Sequence, residues 1–145
     1  MHKWTLMVGV AAMLGVALFA AVRARGADEK ASDKKNRFFE MRTYTAAEGK
    51  LEALHKRFRE HTNAMFAKHG ITIIGFWTPT EGDTAKNTLV YILAYPDKEA
   101  REKDWAEFQA DPEWVKAKAD SEKDGKLVDK VVSVYMSPTD YSPIK

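Results

Sequence analysis

From Phe38 to Thr45 the chain alternates, with Phe39, Met41 and Thr43 against Glu40, Arg42 and Tyr44. That is the two-residue period of a strand with unlike faces. Between Lys50 and Lys68 the period becomes helical: Leu51, Leu54, Phe58, His61 and Met65 recur at threes and fours and form one apolar face. Lys56, Arg57, Glu60, Asn63 and Lys68 fall on the wet side, and Gly70 stands where a left-handed cap ends a helix. Ile71 to Thr78 is dense in β-branched and aromatic residues and predicts a second strand. Residues 79–87 carry Pro, Gly, Asp and Asn and predict a hairpin loop. Thr88 to Tyr95 is a third strand, apolar enough to be covered on both faces.

Asp97 and the pair Asp111-Pro112 are two helix starts, each acid a cap, with the proline at the first helical position. Two consecutive helices are expected, with Trp105, Phe108, Pro112, Val115 and Ala119 as one stripe. Leu127 to Ser137 is the fourth strand, followed by a proline-punctuated tail. The order β-α-β-β-α-β, closed by right-handed crossovers, predicts an α+β ferredoxin-like sandwich. Its four-stranded antiparallel sheet carries the helices on one face. Phe39 and Met41 suit the helix side, which leaves Glu40, Arg42 and Tyr44 on the open face, shared with Tyr91 and Tyr95 or Tyr135. Such a face calls for a cover, most simply a second copy of the chain, and a dimer of this kind encloses a space.

The first residues change the picture of where the domain acts. A basic start, an uncharged run from Leu6 to Val22 and small residues at Ala24 and Gly26 read as a signal peptide over 1–26. An uncleaved anchor is the alternative, and only then is a membrane involved. Residues 27–37 read as a solvated linker and 38–145 as the domain, which is therefore expected to be exported, periplasmic or secreted. The 145-residue chain has 23 basic and 21 acidic side chains, yet residues 1–26 hold three of the cations and no carboxylate. The remainder is near neutral and has no basic footprint for nucleic acid. With no cysteine, disulfides and thiolate metal sites are excluded.

Candidate chemistry is sparse. His55, His61 and His69 are six, eight and fourteen residues apart, and none is at the spacing that brings two imidazoles to one metal on a helix. No metal and no cofactor is expected. His61 on the apolar face is a bonded core histidine, a pocket base or, as a weaker reading, an axial haem ligand. Arg42 beside Glu40 is a structural ion pair or a clamp for an anionic substrate, with Tyr44 orienting the ligand or taking a proton. Trp77 closes the second strand as packing or as the mouth of a pocket. Trp105, Phe108 and Trp114 are at core spacing.

Several segments carry a resemblance. Phe39-Glu40-Met41-Arg42-Thr43-Tyr44, His61-Thr62 followed by Lys68-His69-Gly70, and Gly75-Phe76-Trp77 resemble the NIPSNAP family. So do the run from Trp105 to Trp114 and the tail from Pro138 to Pro143. The resemblance implies a dimeric α/β barrel and brings no settled activity. Related barrels include cofactor-independent monooxygenases and haem-dependent enzymes, an analogy of fold. The expectation is an exported homodimer that binds a small molecule or serves a structural role. A small monooxygenase or isomerase with Arg42, Tyr44 and His61 around one pocket is the alternative.

Overall fold

The computed structural model describes residues 37–145. The export segment expected at 1–26 and the linker at 27–37 lie, Arg37 apart, outside the described residues. The elements run β1 (Phe38–Ala46), α1 (Leu51–Arg57), a π-helical segment (Phe58–Thr62), α2 (Asn63–Lys68), β2 (Thr72–Trp77) and β3 (Thr88–Tyr95). Then come α3 (Lys98–Ala110), α4 (Pro112–Ser121) and β4 (Val128–Met136). The strands form one antiparallel sheet in the order β2-β3-β1-β4, the ferredoxin-like arrangement. Local chemistry starts and stops the helices where the sequence says. Asp97 accepts from the Ala100 amide and Asp111 from that of Glu113, and Gly70 adopts φ 73° after α2.

The core lies between the helices and one face of the sheet. Leu54, Phe58 and Phe66 from the first helical stretch meet Leu89, Tyr91 and Leu93 of β3 and Trp105 and Phe108 of α3. Phe66 is central, its ring 5.0 Å from Phe108, 5.8 Å from Trp105 and 6.2 Å from Tyr91.

Several expectations of orientation are corrected. The first concerns β1. Arg42 pairs with Tyr91, Glu40 with Leu93 and Tyr44 with Leu89, all on the face beneath the helices. The residues grouped together do share a face, but it is the helix face, and Phe39 and Met41 look the other way. A shift of one residue inverts a strand. The polar set can go inside because Glu40 meets two arginines there, while Phe39 finds its own cover. The C-terminal tail folds back so that Pro138, Ser142 and Ile144 join Ile74, Ile92 and Met136 around Phe39. The return is fastened by the Arg37 Nε, which donates to the Lys145 carbonyl oxygen at 2.6 Å.

The second correction concerns His61, which is exposed while Thr62 is buried. The π segment is the reason: its wider turn advances the buried stripe from Phe58 to Thr62 instead of to residue 61. The Thr62 hydroxyl donates to the carbonyl of Arg57, five residues back. The third concerns the stripe after Asp111, which continues through Trp114 and Ala117. Val115 is exposed, as are Pro112 and Ala119.

Candidate functional site

Glu40 is wholly buried on β1 and would be untenable as a lone charge. Its carboxylate is met from two sides. Arg42 Nη1 donates to Oε1 at 2.6 Å, while Arg101 of α3 donates from Nε to Oε2 at 2.8 Å and from Nη2 to Oε1 at 2.9 Å. Burial alone would raise the Glu40 pKa, but the hydrogen bond from Arg101 and the charge of Arg42 outweigh it and hold the carboxyl below its ordinary value. The Trp105 indole lies near both guanidiniums, 4.2 Å from that of Arg42 and 5.2 Å from that of Arg101.

Every nitrogen of Arg42 is engaged. Nε donates to the Tyr91 hydroxyl at 3.0 Å, Nη1 also to Ser133 at 3.0 Å, and Nη2 to the Tyr44 hydroxyl at 3.4 Å. Burial opposes the Arg42 charge, but Tyr91, Tyr44 and Glu40 more than restore it, so its pKa is raised. Burial and then the neighbouring Tyr44 push the Tyr91 hydroxyl well above its usual range, so it stays protonated at neutral pH. The Tyr44 ring stands edge-on to Tyr91 at 5.2 Å and to Phe58 at 6.1 Å.

Beside this cluster a cleft of about 430 Å³ opens between the helix face of β1 and β4 and helices α3 and α4. Arg42 and Tyr44 form part of its wall, with the rings of Trp105, Phe108 and Trp114. Arg57 supplies a second guanidinium, which the sequence pattern assigns to solvent. It is buried, its Nη1 donates to Glu122 at 2.8 Å and to Ser121 at 3.4 Å, and its guanidinium carbon lies 5.5 Å from the Trp114 ring. Its Nε is buried with no partner among the described residues. Nothing near Arg57 in sequence announces this, because its acidic partner is 65 residues away.

The other candidates stand apart from the cleft. His61 lines a separate hollow of about 340 Å³ between the π segment, α2 and α4, with Met65, Glu113, Lys116 and Asp120. Trp77, half-exposed, borders a hollow of about 290 Å³ with His55, Phe58, Asn63 and Phe76. Glu40, Arg42 and Tyr44 are therefore one constellation, whereas His61 and Trp77 belong to two others. His69, just past the end of the same helical stretch, serves the architecture, with its Nε2 2.9 Å from Asp111, the cap of α4. Among the described residues no cluster of His, Asp or Glu could hold a metal ion, and no helix is long and apolar enough to cross a membrane.

The NIPSNAP family model matches residues 39–143. A NIPSNAP family protein of unknown function from Agrobacterium tumefaciens superposes with a TM-score of 0.67 at 24% identity, over 77% of this chain and 96% of that one. An uncharacterised NIPSNAP-like domain protein from Burkholderia xenovorans gives 0.65 at 21% identity, over 75% and 90%. SnoaB, a cofactor-independent oxygenase from Streptomyces nogalater, shares the fold with a TM-score of 0.51 at 18% identity, over 74% and 98%. No curated protein sequence matches the chain.

Proposed function

Since this chain belongs to the NIPSNAP family, we propose that it is an exported, homodimeric domain that binds a small molecule in the cleft between β1, β4 and helices α3 and α4. The observation that carries this reading is the cleft wall itself. Three aromatic rings and Tyr44 surround two buried guanidiniums in a volume of about 430 Å³, within the range of ligand sites, roughly 300–1,000 Å³. Packing alone gives no reason to leave Trp114 and Tyr44 bordering open space.

Dimerisation is supported by the far face of the sheet. Met41, Ile92, Val132 and Val134 lie on it, and the two valines are more than two-fifths exposed. The tail covers only the end around Phe39. A second copy laid sheet to sheet would bury the rest. Export rests on the charge and hydropathy pattern of residues 1–26.

A catalytic reading has one observation in its favour, the Tyr44 hydroxyl at the cleft wall on an Arg42 that the buried Tyr91 also holds, in a fold shared with a cofactor-independent oxygenase. In this version Tyr44, whose hydroxyl is held by Arg42 at the cleft wall, is the group that orients the substrate. His61 has no part in this version, because it lies outside the cleft.

Native mass spectrometry of protein purified from the cells that make it tests the binding reading. A dimer carrying a small molecule, lost on Trp114→Ala, is expected. Protein that is empty with and without that substitution sinks it.

A further inference from the structure

The charge and shape of the cleft narrow its ligand. Resting on the binding reading above, we propose that the cleft takes a carboxylate borne on a flat aromatic body, and that Glu122 occupies the carboxylate position while the cleft is empty.

Five cations line the cleft, Arg42, Arg57, Lys118, Lys126 and Lys130, against the carboxylates of Glu122 and Asp129. Lys126 is taken by Asp129 at 2.8 Å, and Arg42 shares Glu40 with Arg101. Lys118 and Lys130 have no ion pair among the described residues. The field in the cleft is thus positive, and its one well-anchored guanidinium not consumed by a buried acid is Arg57.

Arg57 is fixed and Glu122 is loose. The arginine side chain is 4% exposed and the glutamate 25%, on the residue that closes α4 and begins the turn toward β4. Glu122 reaches Arg57 through Nη1 alone. A guanidinium fork binds a carboxylate through two parallel N–H donors, so the internal acid uses part of what Arg57 offers. A partly exposed ion pair is weak enough to exchange for a better-seated anion. Glu122 therefore acts as a stand-in that shows which chemical group the position accepts.

The body of the ligand is set by the walls. The Trp114 ring lies 5.5 Å from the Arg57 guanidinium carbon, and the Phe108 ring is 4.5 Å from Trp114 at 37°. An aromatic ring joined to the carboxylate would lie against these faces, where offset stacking is favourable. Gln109, exposed on α3 at the same cleft, is available to a polar substituent.

The test uses 2-naphthoate, its neutral counterpart 2-naphthylmethanol and calorimetric titration, followed also by tryptophan fluorescence. In the parent protein the acid should bind at least about tenfold more tightly than the alcohol, the usual advantage of a charge-assisted fork. Glu122→Gln removes the internal competitor and should tighten the acid about fivefold while leaving the alcohol unchanged. Arg57→Gln should erase the preference, and Lys118→Ala, on an exposed residue, should weaken the acid about twofold without touching the fold. Equal binding of acid and alcohol, with Glu122→Gln silent, overturns the carboxylate while the cleft remains a binding site. A loss of acid binding in Glu122→Gln overturns the stand-in role. Binding of neither compound overturns the ligand class, and the retained-ligand measurement decides the cleft separately.

Discussion

Glu40 of β1 and Arg101 of α3 are joined by two parallel hydrogen bonds, 2.8 and 2.9 Å, beneath the first turn of the helix. This fork locks α3 over the sheet 61 residues from its partner. Removing the acid leaves Arg42 buried without a carboxylate. Glu40→Ala should therefore cost about 3–5 kcal/mol, the penalty for orphaning a buried charge. Urea unfolding of the purified domain measures it, and Glu40→Gln, which keeps two acceptor lone pairs but no charge, should cost less.

The same carboxylate gives the stability a pH dependence. Its pKa in the folded protein is below the ordinary 4.5, despite burial, because Arg101 and Arg42 favour the ionised form. The unfolded chain thus binds the proton more readily, and the contribution of Glu40 is present above pH 4.5. It is lost as pH falls below that value and through the folded pKa. Melting temperature followed downward from pH 6 should drop along this limb, and Glu40→Gln should flatten it. An unchanged limb would show that Glu40 does not contribute.

Phe66 is the central ring of the core, 1% exposed. Phe66→Ala removes contacts with α3 and β3 at once and should destabilise the domain by about 3–5 kcal/mol. Equilibrium unfolding gives the value directly.

At Gly75 a methyl group would stand 2.8 Å from the far edge of the Trp77 indole. That ring is half-exposed and can swing away. Gly75→Ala should displace it with a stability change below about 1 kcal/mol. The indole N–H resonance of Trp77 should shift while those of Trp105 and Trp114 stay in place.

The proposed dimer makes its own prediction. Val134, on the open face of β4 opposite Met41, would be buried by a second sheet. Val134→Lys would place a charge in that seam, so light scattering should report a monomer with the melting temperature of the isolated domain. A dimer of unchanged affinity would exclude this face.

Much of the fold is legible because its signals are local. Alternation, helical period, the Asp97 and Asp111 caps and the glycine at 70 each act over a few residues, and the element order follows from them. Orientation is harder. On β1 the pattern assigns the most apolar residues to the core, but both sheet faces have apolar company, and what decides is Arg101, which no local pattern ties to Glu40. The path of the first helical stretch turns on a π segment that hydrophobic spacing does not announce, and so spacing alone puts His61 inside. The candidate site divides in the same way. Glu40, Arg42 and Tyr44 are legible as a group because they alternate on one strand. Arg57 is not, since its meaning depends on Glu122 and Trp114, supplied from the distant α4 and its end.

The hydrogen bond from Arg37 to Lys145 brings the two ends of the described domain together at one corner. The domain is in effect a nearly closed ring, and a short peptide could join those ends. New ends could then be opened in the exposed hairpin at 79–87, which lies outside the strands and helices that bear the cleft. A circularly permuted chain of this kind would keep every strand and helix that lines the cleft.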